Sequence, residues 1–221
     1  MIDHTFPLLE DIPTNPELSL LRSLEPLAEA PTTPLAPAIP RFYAVYLYTL
    51  LLDDEYEEAR FLCKRARRGV FEIDSAEDVA PEYAVAWAAA VSARKVLLAL
   101  WNRDFPLFFT TASTELERLF TAAATPPHES ALLQSLISHV REQNYAFVAR
   151  AFSSISLAEV AQYFGLSDDE TKEQLIVRGW SASVDGVLSR APAKSGGVAT
   201  IEGVHKDRLE ALVALVTHMQ S

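Results

Sequence analysis

The chain has 221 residues, 49% of them hydrophobic, with a mean hydropathy of +0.08; it has room for one or two domains around a substantial core, and that composition excludes a disordered polymer. No uninterrupted apolar run reaches about 18 residues, so no membrane span is expected, and the start Met1-Ile2-Asp3-His4 lacks the basic region of a secretory signal. A net charge of −11 and a pI near 4.9 repel polyphosphate, which weighs against nucleic acid as the main partner.

Residues 1–40 are punctuated by proline at positions 7, 13, 16, 26, 31, 34, 37 and 40. A short helix between Pro16 and Glu25 would turn Leu18, Leu21 and Leu24 to one side. The rest reads as an extended tether, because proline removes a backbone donor and fixes φ. From Arg41 the pattern is helical. Phe42–Leu52 is apolar nearly all round, as a helix buried on most sides should be. Asp53-Asp54 breaks it, and Glu55–Arg67 forms an amphipathic partner turning Tyr56, Ala59, Leu62, Cys63 and Ala66 inward. That helix starts acidic (Glu55, Glu57, Glu58) and ends basic (Lys64, Arg65, Arg67, Arg68), which suits the helix dipole. The dipole explains both charge runs without a cation site at Asp53–Glu58 or a nuclear-import patch at Lys64–Arg68. Cys63, the single cysteine, can form no internal disulfide and reads as a packing residue in a reducing compartment.

Gly69–Pro81 is an acidic connection, and a third helix spans about Glu82–Trp101, with Tyr83, Trp87, Ala90, Val91, Leu97, Leu98 and Trp101 as its apolar set. Here the chain echoes itself. Leu51-Leu52-Asp53-Asp54-Glu55-Tyr56 and Leu100-Trp101-Asn102-Arg103-Asp104-Phe105 are each an apolar helix end, a polar corner, an aromatic residue and a new helix. Two copies match antiparallel helix pairs stacked as a short solenoid. A further helix covers roughly Pro106–Ala123. Thr125-Pro126 then opens a long one to about Phe152, lined by Leu132, Leu136, Ile137, Val140, Tyr145, Val148 and Phe152.

Ser153–Pro192 carries the most organised signals. Ser156-Leu157-Ala158-Glu159 and Ser167-Asp168-Asp169-Glu170 are both capping boxes, each cap worth about 1 kcal/mol. The first helix, Leu157–Phe164, buries Leu157, Val160, Ala161 and Phe164 and stops at Gly165. The second, Asp168–Arg178, turns Leu175 and Ile176 inward and stops at Gly179. The period then switches to strand: Trp180, Ala182 and Val184 alternate with serines, Asp185-Gly186 reads as a two-residue type I′ hairpin, and Val187–Arg190 returns. Ser153–Ser156 can add a third strand. Helix, turn, helix and hairpin make a winged helix.

A DNA reader of this shape presents Arg, Lys, Asn or Gln to the groove. Here the second helix offers Asp168, Asp169, Glu170 and Glu173 against Lys172 and Arg178, so the winged helix is read as a protein-contact module. A nucleic-acid-binding winged helix is the alternative of another class. After residues 193–203, a glycine-containing linker, residues 204–221 form an amphipathic helix with Leu209, Leu212, Val213, Val216 and Met219 on one stripe. Fully burying such side chains is worth roughly 1.5–3 kcal/mol each, so the stripe is expected to be covered, either by its own winged helix or by neighbouring chains, and the glycine-containing link favours the latter.

Nothing here houses chemistry. The histidines (4, 128, 139, 205 and 218) are scattered, with no His-x-His and no His-Glu-x-x-His. There is no Gly-x-Ser-x-Gly elbow and no phosphate-cradling glycine loop. The expectation is a chain with no catalytic residues, metal, cofactor or small-molecule substrate.

The fold class read from these elements is mostly α: a right-handed helical-repeat (TPR/HEAT-like) part over residues 41–152, a winged helix with a small antiparallel hairpin over 153–192, and a C-terminal helix. This layout resembles the PCI domain, shared by the COP9 signalosome, the proteasome lid and translation initiation factor 3. Within it, Tyr46–Arg65, Trp101–Thr111 and Tyr145–Trp180 are similar to the subunit 8 family of the signalosome, most closely at Arg103-Asp104-Phe105-Pro106, Thr110-Thr111 and Val177-Arg178-Gly179-Trp180. The resemblance covers roughly residues 41–193, and small subunits of the lid and of the initiation factor share the same layout. It implies a non-catalytic architectural subunit of the complex that removes Nedd8 from cullins, whose zinc isopeptidase lies on another subunit. It further implies other PCI subunits as partners, no membrane, and a location in nucleus and cytoplasm. Carried onto this chain, the partner-binding residues would be Trp180, Ala182, Val184 and Val187 on the hairpin, where Trp180 reads on its own as hairpin core more than interface, and Leu209, Leu212, Val213, Val216 and Met219 on the terminal helix.

Overall fold

A computed structural model describes residues 16–29, 38–66, 70–71, 81–121, 127–183 and 185–190. The described residues form eight helices and one small sheet: α1 (Leu18–Glu29), α2 (Ala38–Leu52), α3 (Tyr56–Arg65), α4 (Pro81–Trp101), α5 (Phe105–Thr121), α6 (Pro127–Ala151), β1 (Ser154–Ser156), α7 (Leu157–Phe164), α8 (Asp168–Val177), β2 (Trp180–Ala182) and β3 (Val187–Arg190). The fold is therefore mostly α with a three-stranded antiparallel sheet near its C-terminal end.

Apolar composition makes α2 the axis. Every residue from Ile39 to Leu51 except Arg41 is buried, and the helix packs against α1, α3, α4 and α6. The stretch read as a tether contributes more than expected. α1 continues through Pro26 to Glu29 and buries Leu21 and Ala28 completely. Arg65 of α3 clasps Glu25 and Glu58, tying α1 to the first helix pair. Pro40 sits in the first turn of α2, where a missing backbone donor leaves no intrahelical bond unmade.

α4 differs from its reading in detail. Its buried positions are largely alanine and valine (Ala86, Ala89, Ala90, Ala93, Val96, Ala99), whereas Leu98 and Trp101 are 46% and 38% exposed. Small residues let α4 lie close to α2 and α5, so the bulky side chains point elsewhere. Ala84–Trp101 is long and apolar enough to cross a membrane by length and composition alone, but half of it is buried within the protein and Arg94 and Lys95 interrupt it.

The sequence echo is a backbone repeat. At the first corner, Asp53, Asp54 and Glu55 donate to Thr49, Leu51 and Leu50; at the second, Asn102, Arg103 and Asp104 donate to Leu98, Leu100 and Ala99. Each set is a Schellman end with one residue in the left-handed region, Asp54 at φ 62° and Arg103 at φ 56°. The next helix then begins alike, Ala59 donating to Glu55 and Phe108 to Asp104.

A second, smaller core gathers Val148, Ile155, Val160, Phe164, Leu175, Trp180 and Leu188. It belongs to the winged helix, joined to the helical part along α6: Asn144 Nδ2 donates to the Tyr163 carbonyl (2.6 Å) and Arg141 Nε to the Phe164 carbonyl (2.9 Å). Gly165, at φ +57°, ends α7 directly against the ring of Phe109, where any Cβ would collide.

Candidate subunit interface

Local chemistry builds the winged helix as read, with three differences. Ser167 and Glu170 make the full capping box: the Glu170 amide donates to Ser167 Oγ (3.4 Å) and the Ser167 amide to Glu170 Oε2 (3.0 Å). The Ser167 hydroxyl, which also donates to Glu170 Oε2 (2.7 Å), and then the Ser167 amide hold the Glu170 carboxyl below its usual range. Ser156 makes only the first half, accepting from the Glu159 amide (3.3 Å), and also closes β1 opposite Val187. On α8 the inward pair is Thr171 and Leu175, four residues apart; Ile176 is 48% exposed, since a ten-residue helix resting on one face can bury only one row.

The hairpin turn is also longer than two residues. Gly186 donates to the Ser183 carbonyl (3.2 Å) and Ser183 to the Val187 carbonyl (2.8 Å), with Gly186 at φ 71°. The hydrogen-bonded pair is therefore Ser183 and Val187, which encloses a three-residue loop.

The strand order is β1-β3-β2, so β3 is the centre and β1 and β2 are the two edges. Trp180 pairs with Arg190, Ser181 with Ser189 and Ala182 with Leu188, while β1 sets Ile155 opposite Leu188. Ile155, Trp180 and Leu188 face the small core. Serines 181 and 189 face outward and touch, Oγ to Oγ, at 3.0 Å.

The hairpin residues read as partner contacts thus separate. Trp180 is only 3% exposed and Ala182 half-buried, so both lend their backbone to an outer edge more than their side chains to a surface. Val187 is 39% exposed. Val184, and Leu209, Leu212, Val213, Val216 and Met219 of the terminal helix, lie outside the described residues.

Charge on this face is acidic or already engaged. α8 exposes Asp168, Asp169 and Glu173 beside Lys172. Arg178 donates to Glu142 (2.9 Å) and stacks 4.2 Å from the Tyr145 ring, and this pairing holds the Glu142 carboxyl below its usual range. Arg141, beside Phe109, is held by the Phe164 carbonyl. Cations available to a phosphate backbone are scarce here. Burial pushes the Cys63 thiol up to about 11, so it stays protonated at neutral pH.

Sequence reasoning missed a furrow beside the winged helix. Two adjoining hollows of about 750 and 290 Å³ share Arg103, Phe105 and Tyr163 as a common wall. The signal was dispersed over α3, α4, α6 and α7, and no periodicity links them.

The sequence is similar to several known proteins. The chain is 30% identical over 147 residues to COP9 signalosome complex subunit 8 of Danio rerio, covering 66% of this chain and 65% of that protein. It is 26% identical to the Xenopus tropicalis protein of the same name over the same shares. The match to the Arabidopsis thaliana one is 22% over 182 residues, 80% of this chain and 79% of that protein. The chain thus spans 65% of the length of the two vertebrate relatives. A family model described as CSN8/PSMD8/EIF3K matches residues 37–196, from the start of α2 to just past β3. Helical part and winged helix fall together inside that match, and the chain belongs to the CSN8/PSMD8/EIF3K family.

Proposed function

We propose that the chain is a non-catalytic architectural subunit of a COP9 signalosome, the complex that removes Nedd8 from cullins. It would work in the nucleus and cytoplasm and assemble with other PCI subunits. One observation carries the protein-contact reading: the helix that a DNA reader would push into the groove shows carboxylates there, and its flanking arginine is spent on Glu142. The names of the similar proteins supply the complex.

The contacts would be of two kinds. Short edge strand β2 can accept a strand from a neighbour through its outer backbone, with Trp180 and Ala182 holding it rigid from behind and Val187 beside it. Val184 and the stripe Leu209, Leu212, Val213, Val216 and Met219 would complete the association as part of a helical bundle.

Co-purification of tagged chain from cell extract tests this. Full-length chain should bring down signalosome PCI subunits in stoichiometric amounts, and a chain lacking residues 204–221 should lose them. Equal recovery by both would remove the bundle role, and recovery of lid or initiation-factor subunits would reassign the complex. A salt-sensitive gel shift with DNA or RNA would favour the nucleic-acid reading instead. Chelator-sensitive cleavage of a Nedd8–cullin conjugate by the isolated chain would overturn the non-catalytic assignment.

A further inference from the structure

The furrow beside the winged helix has a chemistry that the acidic face does not share. Its larger part is lined by Tyr56, Trp101, Phe105, Phe147 and Tyr163, and Phe152 and Ile155 continue it into the smaller hollow. Phe105, Tyr163, Phe147 and Phe152 form a chain of ring contacts with centroids 5.7, 6.1 and 6.2 Å apart. Trp101 and Phe147 remain 38% and 41% exposed.

Arginines border this apolar floor. The Arg103 side chain is exposed and has no hydrogen bond or ion pair among the described residues. Arg150 donates, among the described residues, only to the Ala146 carbonyl of its own helix. Arg60 lies 3.9 Å from the Trp101 ring centroid and meets Glu57 at 3.5 Å. Elsewhere the arginines Arg41, Arg65, Arg118 and Arg178 are each clasped by a carboxylate. Glu159 is the one carboxylate lining either hollow among the described residues, and the Ser156 hydroxyl donates to it. In a chain of net charge −11, an aromatic trough edged by Arg103 and Arg150, which no carboxylate among the described residues neutralises, selects an acidic, apolar occupant.

We propose that the occupant is the chain's own residues 1–15, which cover the furrow in cis. That segment carries Asp3, Glu10 and Asp11 among Phe6, Leu8, Leu9 and Ile12, with Pro7 and Pro13 favouring the extended form that aromatic grooves receive. Its reach suffices. From Leu18 along α1 to Glu25, across the ion pair to Arg65 and back along α3 to Tyr56 is at most about 35 Å at 1.5 Å per helical residue. Fifteen extended residues span about 50 Å. The terminal stretch His205-Lys206-Asp207-Arg208 carries no net negative charge and is the poorer match. Tethering supplies an effective concentration in the millimolar range, so modest affinity is enough. This inference does not depend on the subunit reading.

Trp101 reports on the furrow, since Trp87 and Trp180 are 6% and 3% exposed. In the full chain, acrylamide quenching of tryptophan fluorescence should rise about twofold when residues 1–15 are deleted, and comparably in R103E. The exposed charge-matched control K172E should leave it unchanged. A synthetic peptide of residues 1–15 should bind the deleted chain saturably by fluorescence anisotropy and at least tenfold more weakly to the full chain or to the deleted chain carrying R103E. Unchanged quenching on deletion, or equal peptide binding to full and deleted chains, would overturn the proposal. So would tighter binding of a peptide of residues 204–221, or of a second copy of the chain.

Discussion

The two corners at Asp54 and Arg103 share a backbone and differ in everything attached to it. Asp54 Oδ1 accepts from Gln143 Nε2 at 2.7 Å, and lies 3.2 Å from His139 Nε2 and 3.4 Å from the Tyr56 hydroxyl. It fastens the first helix pair to α6. Arg103, in the equivalent place, makes no side-chain hydrogen bond or ion pair among the described residues and edges the furrow. The caps are reversed as well. Glu55 makes no side-chain cap, whereas Asp104 Oδ1 accepts from the Leu107 amide at 3.1 Å. A repeat therefore conserves its main-chain hydrogen bonds and leaves its side chains free for separate duties: one corner closes by tertiary anchorage, the other by local capping with an arginine to spare.

Left-handed helix ends that carry side chains have a limit, and Gly165 marks it. Unlike Asp54 and Arg103, it meets a wall, the Phe109 ring. G165A should cost about 3 kcal/mol by adding overpacking to the left-handed penalty, read as a fall in the urea midpoint. A loss below about 1 kcal/mol would mean the two parts can slide apart.

Exchanging the caps probes the second contrast. D104A should lose about 1 kcal/mol of stability, and E55D should gain several tenths by supplying the cap the first corner lacks. Equal small effects at both sites would erase the distinction. At the left-handed positions themselves, R103G in a chain lacking residues 1–15 should gain about 1 kcal/mol, since glycine relieves the strain and no side-chain hydrogen bond or ion pair among the described residues is lost. D54G should gain nothing, because the bonds to Gln143, His139 and Tyr56 go with the side chain.

The smallest effect is in alkali. Burial, followed by the charge and hydrogen bond of Asp54, pushes the Tyr56 phenol up to about 12. The folded chain then holds that proton more tightly than the unfolded one. Its contribution to stability is complete below pH 10 and is lost as pH rises from 10 to about 12. In D54N the phenolate absorbance of Tyr56 should appear at lower pH. An unmoved midpoint would leave burial as the whole cause.

These comparisons also separate what could be read along the chain from what could not. The 49-position echo, Gly165, the Ser167 box and the strand alternation are local, and each is dictated by backbone conformation or by a cap within four residues. Pro26 within α1, the exposure of Ile176 and Trp101, and the alanine face of α4 depend on which neighbour a helix meets. Volume and approach distance decide those, and neither is written in a periodicity. The furrow is the extreme case, because Tyr56, Trp101, Phe147 and Tyr163 come from four helices. Among the proposed contacts, β2 and β3 were legible as a hairpin and Trp180, from its alternation with serines, as a core residue of it; that Ile155 and Leu188 would close over it was not.

The central position of β3 has a consequence for biosynthesis. Its partners in the sheet are made earlier, Ile155 by about 33 residues and Ala182 by only 6. Until Leu188 clears the ribosome, both flanking strands lack their shared neighbour and the indole of Trp180 has no lid. A nascent chain halted before that point would present sticky, unzipped edges to whatever passes, so chaperone engagement should end abruptly once Arg190 has emerged from the ribosome.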